Sequence, residues 1–260
     1  MLTSSEMDYS YKFFRDSMPE WKRKKDAMVV RFFYRPISFF VASLCAKCGI
    51  SANAVSYFSI IIALLGCVCF LFDNHIFHIV GAVMFNLWLL LDCVDGNLAR
   101  SVKKQAFGEF ADATSSYILV AFMCTSMAFA VYFEGGLLVG SECVWVILAG
   151  ALASTSDTLM RLIYQKYSAE ERELVAKGLL DKGTDEMQDH GRVASLSVWM
   201  AETMGVGGVL PLLILIAVLF HSLDLILIYC TLYYCGSAFL MILKHIRKAI
   251  VKSKNINLEK

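Results

Sequence analysis

Apolar residues in this chain gather into long windows separated by short polar links. Six windows, at about 53–72, 76–98, 108–132, 142–164, 205–221 and 224–243, approach the roughly 20 residues that a helix needs to cross the hydrocarbon core of a bilayer. A further stretch at 28–48, MVVRFFYRPISFFVASLCAKC, is apolar but interrupted by Arg31, Arg35, Pro36 and Lys47. An arginine at the centre of a spanning helix costs about 2.5–3.5 kcal/mol on insertion scales. The pattern therefore predicts an amphipathic helix lying at the interface, its basic residues reaching into the headgroups. The expected fold is an all-α integral membrane protein, six transmembrane helices preceded by that interfacial helix. Residues 1–50 form the tail and interfacial helix, 51–246 the membrane domain with a loop at 165–204, and 247–260 a basic tail.

Composition agrees with this pattern. Of the 260 residues, 58% are hydrophobic and 18% charged, against about 45–50% and about 25% in an average soluble domain. Disordered, collagenous and nucleic-acid-binding classes are excluded. The net charge of +1 says little, whereas its distribution orients the chain. Residues 1–50 hold nine Lys and Arg, 99–107 three, 161–204 six and 244–260 six, which is every one of the 24. The links at 73–78, 133–142 and 221–224 hold none. Positive-inside asymmetry then places both termini, the 99–107 link and the 161–204 loop in the cytoplasm, and a seventh span would break that parity. No cleavable signal peptide is expected, because the first 27 residues lack an apolar core.

Most of the nine cysteines, including Cys67, Cys69, Cys93, Cys124, Cys230 and Cys235, fall inside apolar windows and read as small packing residues. Cys45 and Cys48 make a lone C-x-x-C without the second pair a metal site would need. In the 161–204 loop, SAEERELVAKGLLDKG reads as a short separate helix with Ser168 as its N-cap and Gly178 near its end. The tail from Lys244 onwards reads as an electrostatic anchor to the membrane surface.

The segment LDCVDGNLARSVKKQAFGEFADATSS, residues 91–116, carries the chemistry. Asp92, Asp95 and Ala99 stand at i, i+3 and i+7, one helical face, and Gly108, Asp112 and Ser116 stand at i, i+4 and i+8. Two antiparallel helices joined by a short link can turn these faces toward each other. Three carboxylates in apolar surroundings repel and lose hydration unless a cation joins them or some are protonated. Oxygen ligands alone select a hard ion, Mg²⁺ or Mn²⁺. Gly96, Ala99 and Gly108 leave room for a ligand beside the backbone, and Arg100 can meet a phosphate with both arms of its guanidinium. A bland reading, in which the acids cap helices and the glycines ease packing, suits any one of these residues better than all of them in register.

The same run resembles the signature of the CDP-alcohol phosphotransferases, D-x-x-D-G-x-x-A-R followed by a short connector and G-x-x-x-D-x-x-x-D, matched here by Asp92, Asp95, Gly96, Ala99, Arg100, Gly108 and Asp112. Arg35-Pro36-Ile37-Ser38 and Asn53 resemble the family's approach to its first span. The resemblance implies a metal-dependent membrane transferase that moves a phosphoalcohol from a CMP-linked donor to a hydroxyl and releases CMP. Asp92, Asp95 and Asp112 would hold the metal, while Gly96, Ala99, Arg100, Gly108 and Ser116 would line the nucleotide. The donor would be a CDP-alcohol, CDP-diacylglycerol or a CMP-phosphonate, and the acceptor a lipid, a glycan or a small alcohol. The resemblance also implies membrane-lipid partners, a homodimer, and an active site facing the cytoplasm from the inner membrane. No nucleic-acid partner is expected.

One position departs from the signature. Its last Asp, the family's general base, is Ser116 here, and a serine accepts no proton at neutral pH without a base of its own. Asp157, one turn before Arg161, is the first replacement candidate, beside Asp112 as a catalytic acid; an intrahelical Asp157–Arg161 ion pair is the plainer reading of those two. The serine also fits an acceptor that needs no base, or a silent relative that binds nucleotide or a partner. An ion-coupled transporter would place acids near the midplane within paired broken helices, and neither feature is evident. His190 and Arg192 could meet an anionic substrate, and GVGGVLP at 205–211 reads as a helix start or gate. His75 and His78 lie on the side of the membrane away from the acids, where no metal site is expected.

Overall fold

The computed structural model describes residues 9–180, 203 and 205–255. These form nine α-helices: α1 (Tyr11–Asp16), α2 (Glu20–Lys25), α3 (Arg35–Lys47), α4 (Ala52–Cys69), α5 (His75–Ser101), α6 (Gly108–Glu134), α7 (Val144–Ala176), α8 (Leu210–Leu219) and α9 (Leu223–Asn255). Among the described residues there is no strand. Five helices, α4, α5, α6, α7 and α9, are long and apolar enough to cross a membrane. Their outward faces carry exposed Ile61, Leu64, Leu65, Phe122, Leu148, Leu232 and Phe239, as contact with lipid requires. The molecule is a multi-pass membrane protein.

The predicted span at 205–221 differs. Only Leu210–Leu219 is helical there, about 15 Å at 1.5 Å per residue, too short to cross a bilayer by itself. Gly205, Gly207 and Gly208 lie in turns, and the helix starts only where Pro211 fits its first turn. The 205–211 segment is thus a helix start, as its glycines suggest.

A second difference concerns Ser168. It caps nothing, because α7 continues from the span through Ser168 to Ala176. Extending a formed helix is cheaper than nucleating another, and Ala169 to Ala176 are mostly good helix formers. Gly178, in the left-handed region at φ +70°, follows the end. Ion pairs from Lys166 to Glu170 and Lys177 to Glu173 run along its exposed face, and Glu171 pairs with Lys252 of α9. The His190 and Arg192 expectation lies outside the described residues.

The long helices close a ring. α4 packs against α5 and α6, α6 against α7, α7 against α9, and α8 joins α9 back to α5. α5 and α6 touch each other only sparingly; α4 is wedged between them. Glycines permit the closest approaches. A Cβ on Gly66 of α4 would lie 2.9 Å from the Phe85 ring of α5, and one on Gly81 of α5 would lie 2.8 Å from the Gly66 carbonyl. A Cβ on Gly150 of α7 would meet the Cys124 carbonyl of α6 closer still. Such small-residue contacts let helices pack where lipid removes the hydrophobic drive between them.

The interfacial stretch is helical too, with a π turn at Val30–Tyr34 leading into α3. Pro36 has no N–H and its ring crowds the carbonyl four residues back, so a widened turn precedes it. Phe32, Phe33, Ile37, Phe40 and Leu44 face outward. Arg35 corrects the expectation that the basic residues point to headgroups: it is buried, turned inward to Asp26.

Candidate functional site

The site forms where α5 ends and α6 begins. Phe107, in the left-handed region at φ 59°, turns the connector into α6. Asp92 and Asp95 come from the last turns of α5 and Asp112 from the first turns of α6, and one oxygen of each lies within 4.8 Å of the others. Asp95 is buried, Asp92 half-buried and Asp112 exposed, so the group opens on one side. The donor set is all carboxylate, which fits a hard divalent ion such as Mg²⁺ or Mn²⁺.

The wedged helix α4 supplies the support behind the acids. Ser51 caps it by accepting from the Ala54 N–H at 3.2 Å. One turn further on, Ser56 donates to Asp95 Oδ2 at 2.5 Å. Ser59 meets Ser115 of α6 at 2.5 Å, and Trp88 Nε1 of α5 donates to Ser115 at 2.8 Å. The buried Ser56, Ser59, Ser115 and Trp88 thereby bolt α4, α5 and α6 together, satisfying polar groups that would otherwise be stranded. Asn53 links α4 to the connector: its N–H donates to Gln105 Oε1 at 3.1 Å and its Nδ2 to the Ala106 carbonyl at 2.9 Å. Asn53 Oδ1 is buried without a partner and lies 3.4 Å from where a Gly108 Cβ would stand.

A cationic group faces the acids from the interfacial segment. Arg35 donates to Asp26 from Nε at 2.7 Å and from Nη2 at 3.1 Å, a bidentate pair, and Lys22 lies 3.3 Å from the same carboxylate. Burial pushes the Asp26 carboxyl up, but the Arg35 hydrogen bonds and charge, with Lys22, outweigh it and hold the pKa below the ordinary carboxylate value. Arg35 Nη1 also reaches Asn97 Oδ1 at 3.4 Å, and Arg100 Nη2 donates to that same oxygen at 3.1 Å. Asn97 in turn donates to Ser38 at 2.9 Å. Two guanidinium groups therefore converge on one amide, on the helix that carries Asp92 and Asp95.

The remaining expected residues divide. Gly96 makes room for Arg100, whose guanidinium lies 3.0 Å from where a Gly96 Cβ would be. Ala99 is half-buried beside it on the packed face of α5. Ser116 donates to the Ala113 carbonyl at 3.0 Å. Asp157 is buried on α7, outside the carboxylate group, and accepts from Arg161 Nε at 2.8 Å. Arg161 also lies over the Tyr117 ring, 5.3 Å from its centre. The plainer reading of that pair, an i, i+4 ion pair, is the observed geometry.

Sequence reasoning passed over Lys22, Asp26, Ser56 and Asn97. Asn97 stands directly after the signature glycine, and its position was the available signal. The others carry none, since a serine in an apolar span looks like any packing residue.

The site thus sets a carboxylate trio beside two arginines at one end of a helical membrane bundle. Residues 34–139 match a family model described as ceramide phosphoethanolamine synthase. The matched stretch is less than half of the chain, but it contains α3 to α6 and the whole carboxylate group, and stops before Asp157. No curated protein matches the chain. The similarity supports a transferase of lipid biosynthesis.

Proposed function

We propose that the chain transfers a phosphoalcohol from a CMP-linked donor to a lipid hydroxyl, releasing CMP, and that the pair it uses is CDP-ethanolamine and ceramide. The observation that carries the reading is the carboxylate trio of Asp92, Asp95 and Asp112, lying inside the stretch that matches a synthase of ceramide phosphoethanolamine. The donor set fits Mg²⁺ or Mn²⁺, held by the three aspartates. Such an ion would neutralise the diphosphate and stabilise charge on the departing CMP.

The chain's own residues do the rest. Ser56 fixes the Asp95 carboxylate, and Arg100 meets a phosphate oxygen with the arm that Asn97 leaves free. Arg35, committed to Asp26, holds Asn97 in place. Asn53 Oδ1, beside the smooth backbone at Gly108, accepts a hydrogen bond from the nucleotide. The acceptor oxygen forms a bond to the phosphorus of the alcohol's phosphate as the bond from that phosphorus to the CMP oxygen breaks. The hydroxyl proton goes to Asp112, the most open of the three acids. Ser116, tied to the Ala113 carbonyl, takes no part in proton transfer, and Asp157 holds Arg161 against α6. The basic flanks on this side of the bundle support a cytoplasmic orientation, with lipid entering sideways between helices.

The test is CMP release by the detergent-purified protein given ceramide, Mg²⁺ or Mn²⁺, and CDP-ethanolamine, CDP-diacylglycerol or a CMP-phosphonate in separate arms. Release with CDP-ethanolamine that needs both the metal and ceramide, and is absent in Asp95→Asn, is the expected result. Release from another donor would keep the chemistry and replace the substrate. No release from any donor by well-folded protein would leave a nucleotide-binding relative, the reading that Ser116 favours.

A further inference from the structure

The end of the bundle away from the aspartates holds a second cluster that the proposed transfer does not use. His75 and His78, three residues apart in the first turn of α5, share one face. Glu134, the last residue of α6, reaches them both. Its two oxygens lie 3.1 and 3.0 Å from His75 Nδ1, and Oε1 lies 2.6 Å from His78 Nδ1. The three ligand atoms fall within 4.8 Å of one another. His221, in the link between α8 and α9, adds a third imidazole: its Nδ1 is 3.3 Å from Glu134 Oε2 and its ring stacks on His75 at 4.3 Å.

The geometry at His78 is the informative part. Its Nε2 is 2.7 Å from the Phe72 carbonyl. A carbonyl only accepts, so Nε2 carries a ring proton, and without a second proton the Nδ1 lone pair points at Glu134. A lone pair and a carboxylate oxygen at 2.6 Å repel unless a positive centre joins them. A metal-bound histidine usually donates its other ring N–H to a carbonyl or carboxylate, which is the arrangement at Phe72. His78 is 1% exposed and stacks on Phe70, so its ring cannot swing into solvent.

We propose that His75, His78 and Glu134 form a site for a zinc-class transition-metal ion, with His221 covering its fourth position. Two imidazole nitrogens and one carboxylate oxygen suit Zn²⁺, while Mg²⁺ and Ca²⁺ prefer oxygen alone. Ligands 2.0–2.1 Å from a tetrahedral zinc stand about 3.3 Å apart, so Glu134 is already near that separation from His75 and must part from His78 by about 0.7 Å. The frame around it is fixed. Gly135, at φ +74°, ends α6 directly after Glu134. Buried Asp224 accepts from the N–H groups of Leu138 and Val139 at 2.6 and 3.2 Å, pinning the α6–α7 link to α9. His221 itself holds a left-handed conformation at φ 50° that brings its ring over the cluster. A bound ion would clamp the start of α5, the end of α6 and the α8–α9 link together. The proposal is independent of the transferase reading.

The experiment uses the full chain carrying Asp92→Asn and Asp112→Asn, purified in detergent through a tag without histidines and stripped with a chelator. The protein is incubated with Zn²⁺ or with Mg²⁺ and gel-filtered, its metal content is measured, and its thermal unfolding is followed. The expected result is about one zinc per chain, no retained magnesium, and a melting temperature raised by zinc. His75→Gln and Glu134→Gln, added singly, should each abolish retention in protein that still elutes as a single species. His75 is partly exposed, so its replacement disturbs the fold least. Zinc content unchanged in both variants, or no zinc in the parent, would overturn the site. So would a melting temperature that responds to pH alike in chelator and in zinc, because a proton would then be the positive centre.

Discussion

The two ends of α5 make opposite use of the same kinds of charge. At Asp92 and Asp95 carboxylates outnumber the cations left free for them: Arg35 and Lys22 are engaged by Asp26, and Arg35 and Arg100 share Asn97. Oxygen is the only donor, and Asp112 opens the group to its surroundings. At His75 and His78 one carboxylate faces three imidazoles, of which only His78 is fully buried. Asp95 lies twenty residues along the helix from His75, about 30 Å at 1.5 Å per residue, roughly the thickness of a bilayer core. An open, oxygen-only cluster suits an ion that shares its ligands with a passing diphosphate. A nitrogen-rich one, anchored on buried His78, suits an ion that stays.

The largest expected effect breaks the comparison at the open end. Asp95→Asn removes one buried oxygen ligand and the acceptor of Ser56 while keeping shape, and should lower CMP release at least about 100-fold, a loss typical of preorganised charge at a reacting phosphate. A turnover assay with saturating metal reads it. Next comes the wall beside that end. Asp26→Asn leaves Arg35 buried without its counter-charge, which should destabilise the protein by about 3–5 kcal/mol, as breaking a buried pair usually does; thermal unfolding in detergent measures it. The sign with pH follows from the depressed Asp26 pKa. The carboxylate's contribution is complete above its ordinary pKa of about 3.9 and is lost as pH falls below that value through the folded one. Wild type should therefore lose stability in that acid range while Asp26→Asn changes less.

A smaller effect tests the wedge common to both ends. Gly66→Ala drives a methyl to 2.9 Å from Phe85 and should cost about 1–3 kcal/mol by overpacking. The smallest is a control far from either cluster: Lys177→Ala breaks only an exposed pair with Glu173 and should leave unfolding unchanged within error.

Five of the helices, and the aspartates at the α5–α6 link, could be read before any coordinates, because bilayer thickness imposes length and the helical period imposes a shared face. Asp92, Asp95 and Asp112 announce themselves by being acidic where apolar residues are the rule. What stayed hidden depends on partners distant in sequence. Nothing near Arg35 says that it turns inward to Asp26 and Asn97. Glu134 and His221 lie 59 and 146 positions from His75, so His75 and His78 alone gave no hint of a third ligand. The continuation of α7 was obscured by Ser168, whose spacing to Glu171 imitates a helix start inside a helix already under way. The short α8 was overestimated because hydropathy counts apolar residues and ignores the turns at Gly205 to Val209.

The wedge at Gly66 and Gly81 carries a consequence for inheritance. Ser56, the residue that steadies Asp95, rides on the same rod as Gly66, ten residues away. A slight tilt of that rod would displace the hydroxyl with every side chain of the pocket intact. Substitutions at these two glycines should thus behave as conditional alleles, tolerated in cool growth and failing in warmth, and a geneticist would map the lesion to the middle of the membrane while the lost chemistry lies at its edge.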